Sequence, residues 1–246
     1  MIGAIALHEF RRLRSGLLFW LLLAFGQLLI AWLAFAQLEA FAAIAPQLTA
    51  AGSALGPMDL VITPTLNSLL LLLLLGVPLL AMGSLSGEAH SGRLALWLSA
   101  PVGTASLVLG KLFGVWLAGL VLLTSAGATL AVMGLGIAMD WARLALGLGF
   151  LAILLLWLTA LSLALTAWLD HPAAALAAAY GILLFLWLLD SLVSTDAAWA
   201  WIALLPHARP ALSGLLRSQD LIYLAATGGA AVLVAAFRLA RQRGEN

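Results

Sequence analysis

The residues of this sequence that could carry out chemistry are few, and they lie in short polar breaks between long apolar stretches. Gly110-Lys111 comes nearest to a phosphate-binding loop, which reads G-x-x-x-x-G-K followed by Ser or Thr and cradles phosphate with backbone N–H groups. Position 105 is alanine and position 112 is leucine, so the motif is incomplete. We therefore expect no nucleotide site and no cofactor site in this chain.

The histidines offer no catalytic or metal-binding pattern either. All four fall near the ends of apolar stretches: His8, His90, His171 and His207. No apolar stretch holds a serine–histidine pair. His8-Glu9 lacks the second histidine of the H-E-x-x-H zinc motif. Cysteine is absent, which removes thiolate ligands and cysteine nucleophiles. The sequence predicts no catalytic residues and no metal ligands.

The composition determines the class of protein that holds these residues. The chain is 65% hydrophobic and 9% charged, whereas soluble domains carry about 25% charged residues. A bilayer core needs about 20 apolar residues per helix, and backbone that faces lipid must be helical or belong to a closed barrel. The apolar blocks are continuous, so we predict an all-α polytopic membrane protein with six transmembrane helices, at about 17–37, 60–83, 105–136, 144–168, 172–189 and 220–238.

The segments around these spans complete a single predicted domain over residues 1–246. Residues 2–16 place apolar side chains, including Phe10, at helical spacing, with Arg11, Arg12 and Arg14 largely on other faces. This pattern predicts an interfacial elbow helix, although a plain cytoplasmic stub is the alternative. A polar loop covers 84–104. Prolines break up 191–219, where we expect two short outer-leaflet helices, around 197–205 and 211–217.

The distribution of charge predicts the orientation. Six spans place eight of the eleven Lys and Arg residues on the side that holds both termini, and the positive-inside rule makes that side cytoplasmic. No ionisable residue falls deep within a span, so an energy source outside the chain is expected for any uphill transport. Gln27 and Asn67 are the main polar side chains within spans. Each could line a pathway, but an interhelical hydrogen bond is the favoured interpretation.

The polar loop is the part of the chain most suited to contact from outside. It holds a short segment in which Leu94 and Trp97 are expected to be exposed, and Pro101 closes that segment. Such apolar anchors suit a helix that docks in a partner's groove. Amphipathic stretches also lie on lipid headgroups, and the spacing alone leaves both possibilities open.

The residues of this loop resemble a known family. The run EAHSGRLALWLSAP, Glu88 to Pro101, followed by LVLGK, Leu107 to Lys111, resembles the coupling-helix region of ABC-2 type permeases. The matching residues are Glu88, Ser91, Gly92, Leu94, Ser99, Pro101, Gly110 and Lys111. The later run Leu204 to Tyr223, with Gly214, Asp220 and Tyr223, looks like the gliding-motility and nitrous-oxide-reductase-maturation branch of that family.

The resemblance implies a permease subunit of an exporter, with no ATPase of its own. It implies a cytoplasmic ATP-binding partner that holds ATP and Mg, a second permease copy or paralogue, and a place in a bacterial inner membrane. The partner-docking residues carried over are Glu88, Ser91, Gly92, Arg93, Leu94, Trp97 and Pro101. A stand-alone channel or scaffold and an intramembrane enzyme are the competing interpretations, and the substrate is not indicated.

Overall fold

The computed structural model describes residues 1–192 and 201–245, and the regular elements of these residues are all helices. Within these described residues six stretches are long and apolar enough to cross a membrane, which confirms the predicted class and number of spans. The elements are α1 (Ile2–Ser15), α2 (Leu17–Ala50), a π-helical turn (Met58–Ile62), α3 (Thr63–Ala81), α4 (Ser86–His90), α5 (Arg93–Ser99), α6 (Thr104–Met133), α7 (Trp141–Trp168), α8 (Pro172–Leu192), α9 (Leu205–Leu212) and α10 (Ser218–Glu245).

Local chemistry explains where several of these helices begin. Gly16 takes an extended conformation that separates α1 from α2. The carboxylate of Asp140 accepts hydrogen bonds from the backbone N–H groups of Ala142 and Arg143, 3.0 and 3.1 Å away, and so caps the first turn of α7. Pro172 opens α8, where a proline loses no intrahelical bond. These boundaries lie within a few residues of the predicted ones.

The first span is much longer than the sequence predicted. We expected it to end near residue 37, but α2 continues to Ala50 and includes Pro46. Alanine and leucine make up seven of the thirteen residues of this extension, and they are good helix formers even where the sequence is mildly polar. Just beyond the end of the helix, Gly52 has a φ of 64°, which permits the left-handed C-terminal turn in which Ser53 N–H donates to the Leu48 carbonyl.

The broken stretch before the last span also differs from the prediction. Residues 197–200 of the short helix expected around 197–205 lie outside the described residues. The prediction of a helix at 211–217 is wrong, because α9 covers Leu205–Leu212 and the chain then turns at Gly214. Pro206 stands at the first positions of α9, which places the helix start there. The last helix, α10, is longer than expected at both ends.

The long helices pack around α7, whose buried leucines form the main core with α3. Two ends of the bundle can be distinguished by what lies there. The basal end holds α1, α4, α5, the first turns of α6 and the last turns of α10. The distal end holds the end of α2, the π-helical turn, α9 and the first turns of α10. The polar residues of interest cluster at these two ends.

Candidate coupling site

The polar loop folds into two short helices that meet at a glycine. The first helix, α4, ends at His90, and the second, α5, begins at Arg93. Between them Gly92 has a φ of 72°, a conformation that residues with a side chain rarely adopt, and its N–H donates to the Ala89 carbonyl. The glycine therefore sets the angle between α4 and α5.

Lys111 connects α4 to α6 and α1 through a buried ion-pair cluster. Its ammonium donates to Glu88 Oε1 at 2.7 Å, to Glu9 Oε2 at 3.2 Å and to the Ser84 carbonyl at 3.0 Å. An ammonium has three donors, so every one of them is used. Lys111 and Glu9 are each 1% exposed and Glu88 is 3% exposed. Three helices are thus held together by one lysine.

Arg12 completes the cluster by pairing with the Glu9 carboxylate. Its guanidinium donates to both oxygens of Glu9, at 2.5 and 3.2 Å, and to the Gly83 carbonyl at 3.3 Å. The Ser84 hydroxyl donates to Glu9 Oε1 at 2.7 Å. Burial by itself would raise the pKa of Glu9, but Lys111, Arg12 and these hydrogen bonds together bring that pKa below its ordinary value. Glu9 is therefore held as a carboxylate.

Two glycines let α1 approach α6 closely enough to form this cluster. A Cβ atom at Gly110 would lie 2.6 Å from side-chain atoms of Ile5. One at Gly114 would lie 2.5 Å from Glu9 Cβ and 2.8 Å from the Ala6 carbonyl oxygen. The GxxxG spacing in α6 therefore serves helix packing, as small residues do at close helix contacts. It places Glu9 beside Lys111.

The docking residues predicted from the sequence divide into exposed and buried groups. Ser91, Gly92, Arg93 and Pro101 are exposed, whereas Glu88 and Leu94 are buried and Trp97 is half-buried. The predicted exposure of Leu94 is wrong.

Leu94 packs in a core cluster with Leu98 and with Leu239 of α10. Trp97 packs against the same cluster and against the ring of His8, and the Lys111 ammonium lies 5.8 Å from its ring centroid. The large apolar side chain that α5 exposes is Leu96, at 72%. Arg93 and Leu96 therefore define the outer face of α5.

A family model described as ABC-2 family transporter protein matches residues 3–203. The chain belongs to this family. With its six candidate spans, it is a membrane permease component of an ABC transporter, and components of this kind carry no ATPase of their own. No curated protein matches the sequence.

The basic residues at the basal end of the permease fall into two kinds. Arg12 is committed to the buried cluster, whereas Arg11 and Arg14 of α1 and Arg93 of α5 are exposed. Phe10 is half-buried and packs near Phe19 at the start of α2. The apolar side of α1 therefore lies against the protein itself through Ile5 and Ala6, while its role as an interfacial elbow stays a prediction.

The two polar residues within spans behave differently in the permease. The Gln27 side-chain oxygen accepts from the Ser125 hydroxyl at 2.8 Å, and its amide donates to Thr129, so Gln27 bonds across from α2 to α6. Asn67 instead donates to the Thr63 carbonyl of its own segment at 2.9 Å. The interhelical bond expected of both is found only for Gln27.

A second buried ionic group lies at the distal end of the permease. His207 of α9 bonds through Nδ1 to Asp220 Oδ1 at 2.8 Å and through Nε2 to the Trp201 carbonyl at 2.9 Å. The Tyr223 ring stacks on His207 with centroids 4.3 Å apart, and its hydroxyl donates to the Ile202 carbonyl. His207 and Asp220 are almost fully buried. The group fastens α9 to the first turns of α10.

Neither ionic group has the composition of a metal centre. Within residues 1–192 and 201–245, no three His, Asp or Glu side chains are grouped so that they could hold a metal ion. In the basal cluster each carboxylate faces a cation of the chain itself. Because its charges are already paired, the cluster serves to hold its helices together.

Proposed function

We propose that this permease couples ATP hydrolysis by a separate ATP-binding subunit to movement of a substrate across the membrane. In this proposal α4 and α5 form the docking element, and their outer face, Arg93 and Leu96, enters a groove of the ATP-binding subunit. ATP and Mg are bound by that subunit and not by this chain.

The observation that carries the proposal is the attachment of α4 to the bundle by the Glu88–Lys111 ion pair. An exposed helix that merely covered lipid headgroups would need no buried charge to hold it. The ion pair is 2.7 Å long and almost completely shielded from solvent, and Lys111 stands in the spanning helix α6. A push on α4 and α5 would therefore displace α6 as one packed body, as in other rigid-body transitions.

The charge of the basal end supports the chemistry expected of the partner. Arg11 and Arg14 of α1 and Arg93 of α5 are exposed there, while Glu9 and Glu88 are buried and already paired. The surface around Leu96 is therefore basic with one apolar anchor. We infer a partner groove with an acidic rim and an apolar pocket, because complementary charge steers association and buried apolar anchors supply affinity.

The finer features implied by the resemblance belong to the same proposal. Both termini are cytoplasmic, the membrane is the bacterial inner membrane, transport is export, and the pathway forms between two permease subunits of the same or different sequence. The proposed branch, gliding motility or nitrous-oxide-reductase maturation, depends on Leu204 to Tyr223, which lies beyond the matched residues 3–203.

The experiment that tests docking uses Leu96→Asp in the tagged permease, expressed with its native partners and extracted as a complex. We expect the variant to lose the ATP-binding subunit on purification, because a carboxylate would be buried against an apolar pocket with an acidic rim. Leu135→Asp is the matched control, since Leu135 is 82% exposed at the distal end. Equal retention of the ATP-binding subunit by both variants contradicts the docking proposal.

Gly92→Pro provides an independent test of the same element. Proline fixes φ near −65°, whereas Gly92 has a φ of 72°, so the substitution must change the angle between α4 and α5. We expect loss of coupled ATP hydrolysis with normal membrane insertion. A complex with wild-type ATPase activity and subunit composition would show that the angle between α4 and α5 is irrelevant to docking.

A further inference from the structure

The last helix of the bundle holds the far end of the docking element. Arg243, near the end of α10, donates through Nε to the Leu98 carbonyl at 3.0 Å and through Nη2 to the Ala100 carbonyl at 3.3 Å. These two carbonyls stand at the C-terminus of α5, which ends at Ser99. A single guanidinium therefore bonds the end of α5 to α10.

The local sequence explains why this end needs a donor from outside. The last carbonyls of a helix have no N–H partner within it. Pro101 follows directly, and proline has no N–H to offer. The Ser99 hydroxyl donates to the Leu96 carbonyl, and Val102 N–H donates to the Ala100 carbonyl, so the Leu98 carbonyl is the one that relies on Arg243. The planar fork of an arginine suits two neighbouring acceptors.

Apolar packing beside these bonds makes the attachment firm. Leu94 and Leu98 of α5 belong to one buried cluster with Ala235 and Leu239 of α10, and Leu239 is 0% exposed. The Arg243 hydrogen bonds lie one turn beyond Leu239 on the same helix. Hydrogen bonds next to a close-packed contact resist sliding of α5 along α10, because the bonds and the contact must break together.

We propose that Arg243 is a positioning residue that makes α10 a second path of mechanical coupling. The docking element would then be attached at both ends, through Glu88 and Lys111 to α6 and through Arg243 to α10. This inference rests on the proposed function. Arg243 lies in a basic C-terminal cluster, and such a cluster predicts only a topology signal. The inference gives Arg243 a role beyond that.

The length of α10 extends this coupling across the bundle. The helix is continuous from Ser218 to Glu245, which corresponds to about 42 Å at 1.5 Å per residue. Its distal end is bonded through Asp220 to His207 of α9. Movement of α5 is therefore passed by α10 to the distal end, where α9 is attached.

The test measures whether the distal end of α10 moves when ATP is trapped in the whole complex. The chain contains no cysteine, so spin labels can be placed at Leu215→Cys and Leu135→Cys, both exposed at the distal end. The distance between the labels is compared in nucleotide-free and ATP-trapped complexes. Arg243→Ala is the test variant. Arg241→Ala is the matched control, because Arg241 lies against the Phe237 ring and is exposed.

We expect a distance change on ATP trapping in the wild type and in Arg241→Ala. In Arg243→Ala the ratio of moved to unmoved populations should fall about two- to thirty-fold, the range typical of weakened coupling between sites. The nucleotide-free distance should stay the same, which a general loss of structure would not allow. If Arg243→Ala does not yield a folded complex, Arg243→Lys carries the test, because one ammonium cannot span both carbonyls equally.

Two results would overturn the inference while leaving the proposed function intact. One is a full distance change in the Arg243 variants, and the other is no distance change in a wild-type complex that hydrolyses ATP. Failure of the proposed function looks different, since the ATP-binding subunit would then remain bound to Leu96→Asp. The two hypotheses are thereby tested separately.

Discussion

The Glu9 carboxylate lies 3.2 Å from the Lys111 ammonium, although 102 positions separate the two residues in the chain. Glu9 belongs to the first helix and Lys111 to a spanning helix, so their contact exists only because α1 packs on α6. Glu88 reaches the same ammonium from α4. The Lys111 ammonium therefore joins the docking element, the N-terminal helix and a spanning helix. Through this ammonium, movement would pass from the surface into the bundle.

Lys111→Met tests the importance of that charge for stability. The substitution keeps much of the side-chain volume but leaves two buried carboxylates without their shared cation, and breaking a buried pair typically costs about 3–5 kcal/mol. We expect a lower thermal midpoint of the detergent-solubilised permease, followed by intrinsic tryptophan fluorescence. An unchanged midpoint would show that water or other donors replace the ammonium.

The triple variant Glu9→Gln, Glu88→Gln, Lys111→Met separates removal of charge from removal of packing. Replacing a buried ionic group by neutral residues of similar volume is often close to neutral for stability. Arg12, which this variant leaves without a carboxylate, is 29% exposed and can be solvated. Glu88 already keeps one buried oxygen, Oε2, without a hydrogen-bond partner among the described residues. We expect the triple variant to recover much of the stability that Lys111→Met loses, and a further decrease would contradict the ion-pair interpretation.

Acid should weaken the basal cluster through Glu9. The pKa of Glu9 is below its ordinary value in the folded protein, so the carboxylate contributes stability that is complete above the unfolded pKa, about 4.3. That contribution is lost as the pH falls through the lower, folded-state pKa. Thermal midpoints of the wild type should therefore approach those of Glu9→Gln below about pH 4.3. A difference between the two thermal midpoints that stays constant down to about pH 3 would be inconsistent with this linkage.

The spans were predictable because their signal is local. Continuous apolar runs predict spanning helices from length alone, and Asp140 and Pro172 mark helix starts by their own chemistry. The end of α2 was missed because its extension is only mildly polar. Gly52 was the available signal, since glycine is the common residue just after a helix C-terminus.

The coupling site was only partly predictable because its exposure depends on packing. Leu94, Trp97 and Leu98 recur at helical spacing, which predicts that one side of α5 is covered. Because the whole loop was expected to lie at the surface, Leu94 and Trp97 were assigned to a partner instead. The cover comes from α10 and α1, which are distant in sequence. Lys111 stood near a span end, and nothing nearby in sequence indicated that Glu9 would pair with it.

Gly114→Ala should loosen α1 from α6. The added methyl group would lie 2.5 Å from Glu9 Cβ and 2.8 Å from the Ala6 carbonyl oxygen, so α1 must shift, at a cost of about 1–3 kcal/mol. Gly149→Ala is the matched control, because nothing lies within 4 Å of its added Cβ and both substitutions gain the same helix propensity. Faster hydrogen exchange in α1 of Gly114→Ala alone is expected. Equal exchange in the two variants would argue against the close contact.

Asp220→Asn should release α9 from α10 at the distal end. Both ring nitrogens of His207 face oxygen atoms, Asp220 Oδ1 at 2.8 Å and the Trp201 carbonyl at 2.9 Å. An asparagine removes the carboxylate from this hydrogen bond, and a hydrogen bond to a charged group typically contributes about 1.5–3 kcal/mol. Hydrogen exchange should therefore accelerate in α9, whereas Arg217→Ala, an exposed neighbour, should leave it unchanged. Wild-type protection of α9 in Asp220→Asn would mean that apolar packing, and not the ionic pair, holds α9 on α10.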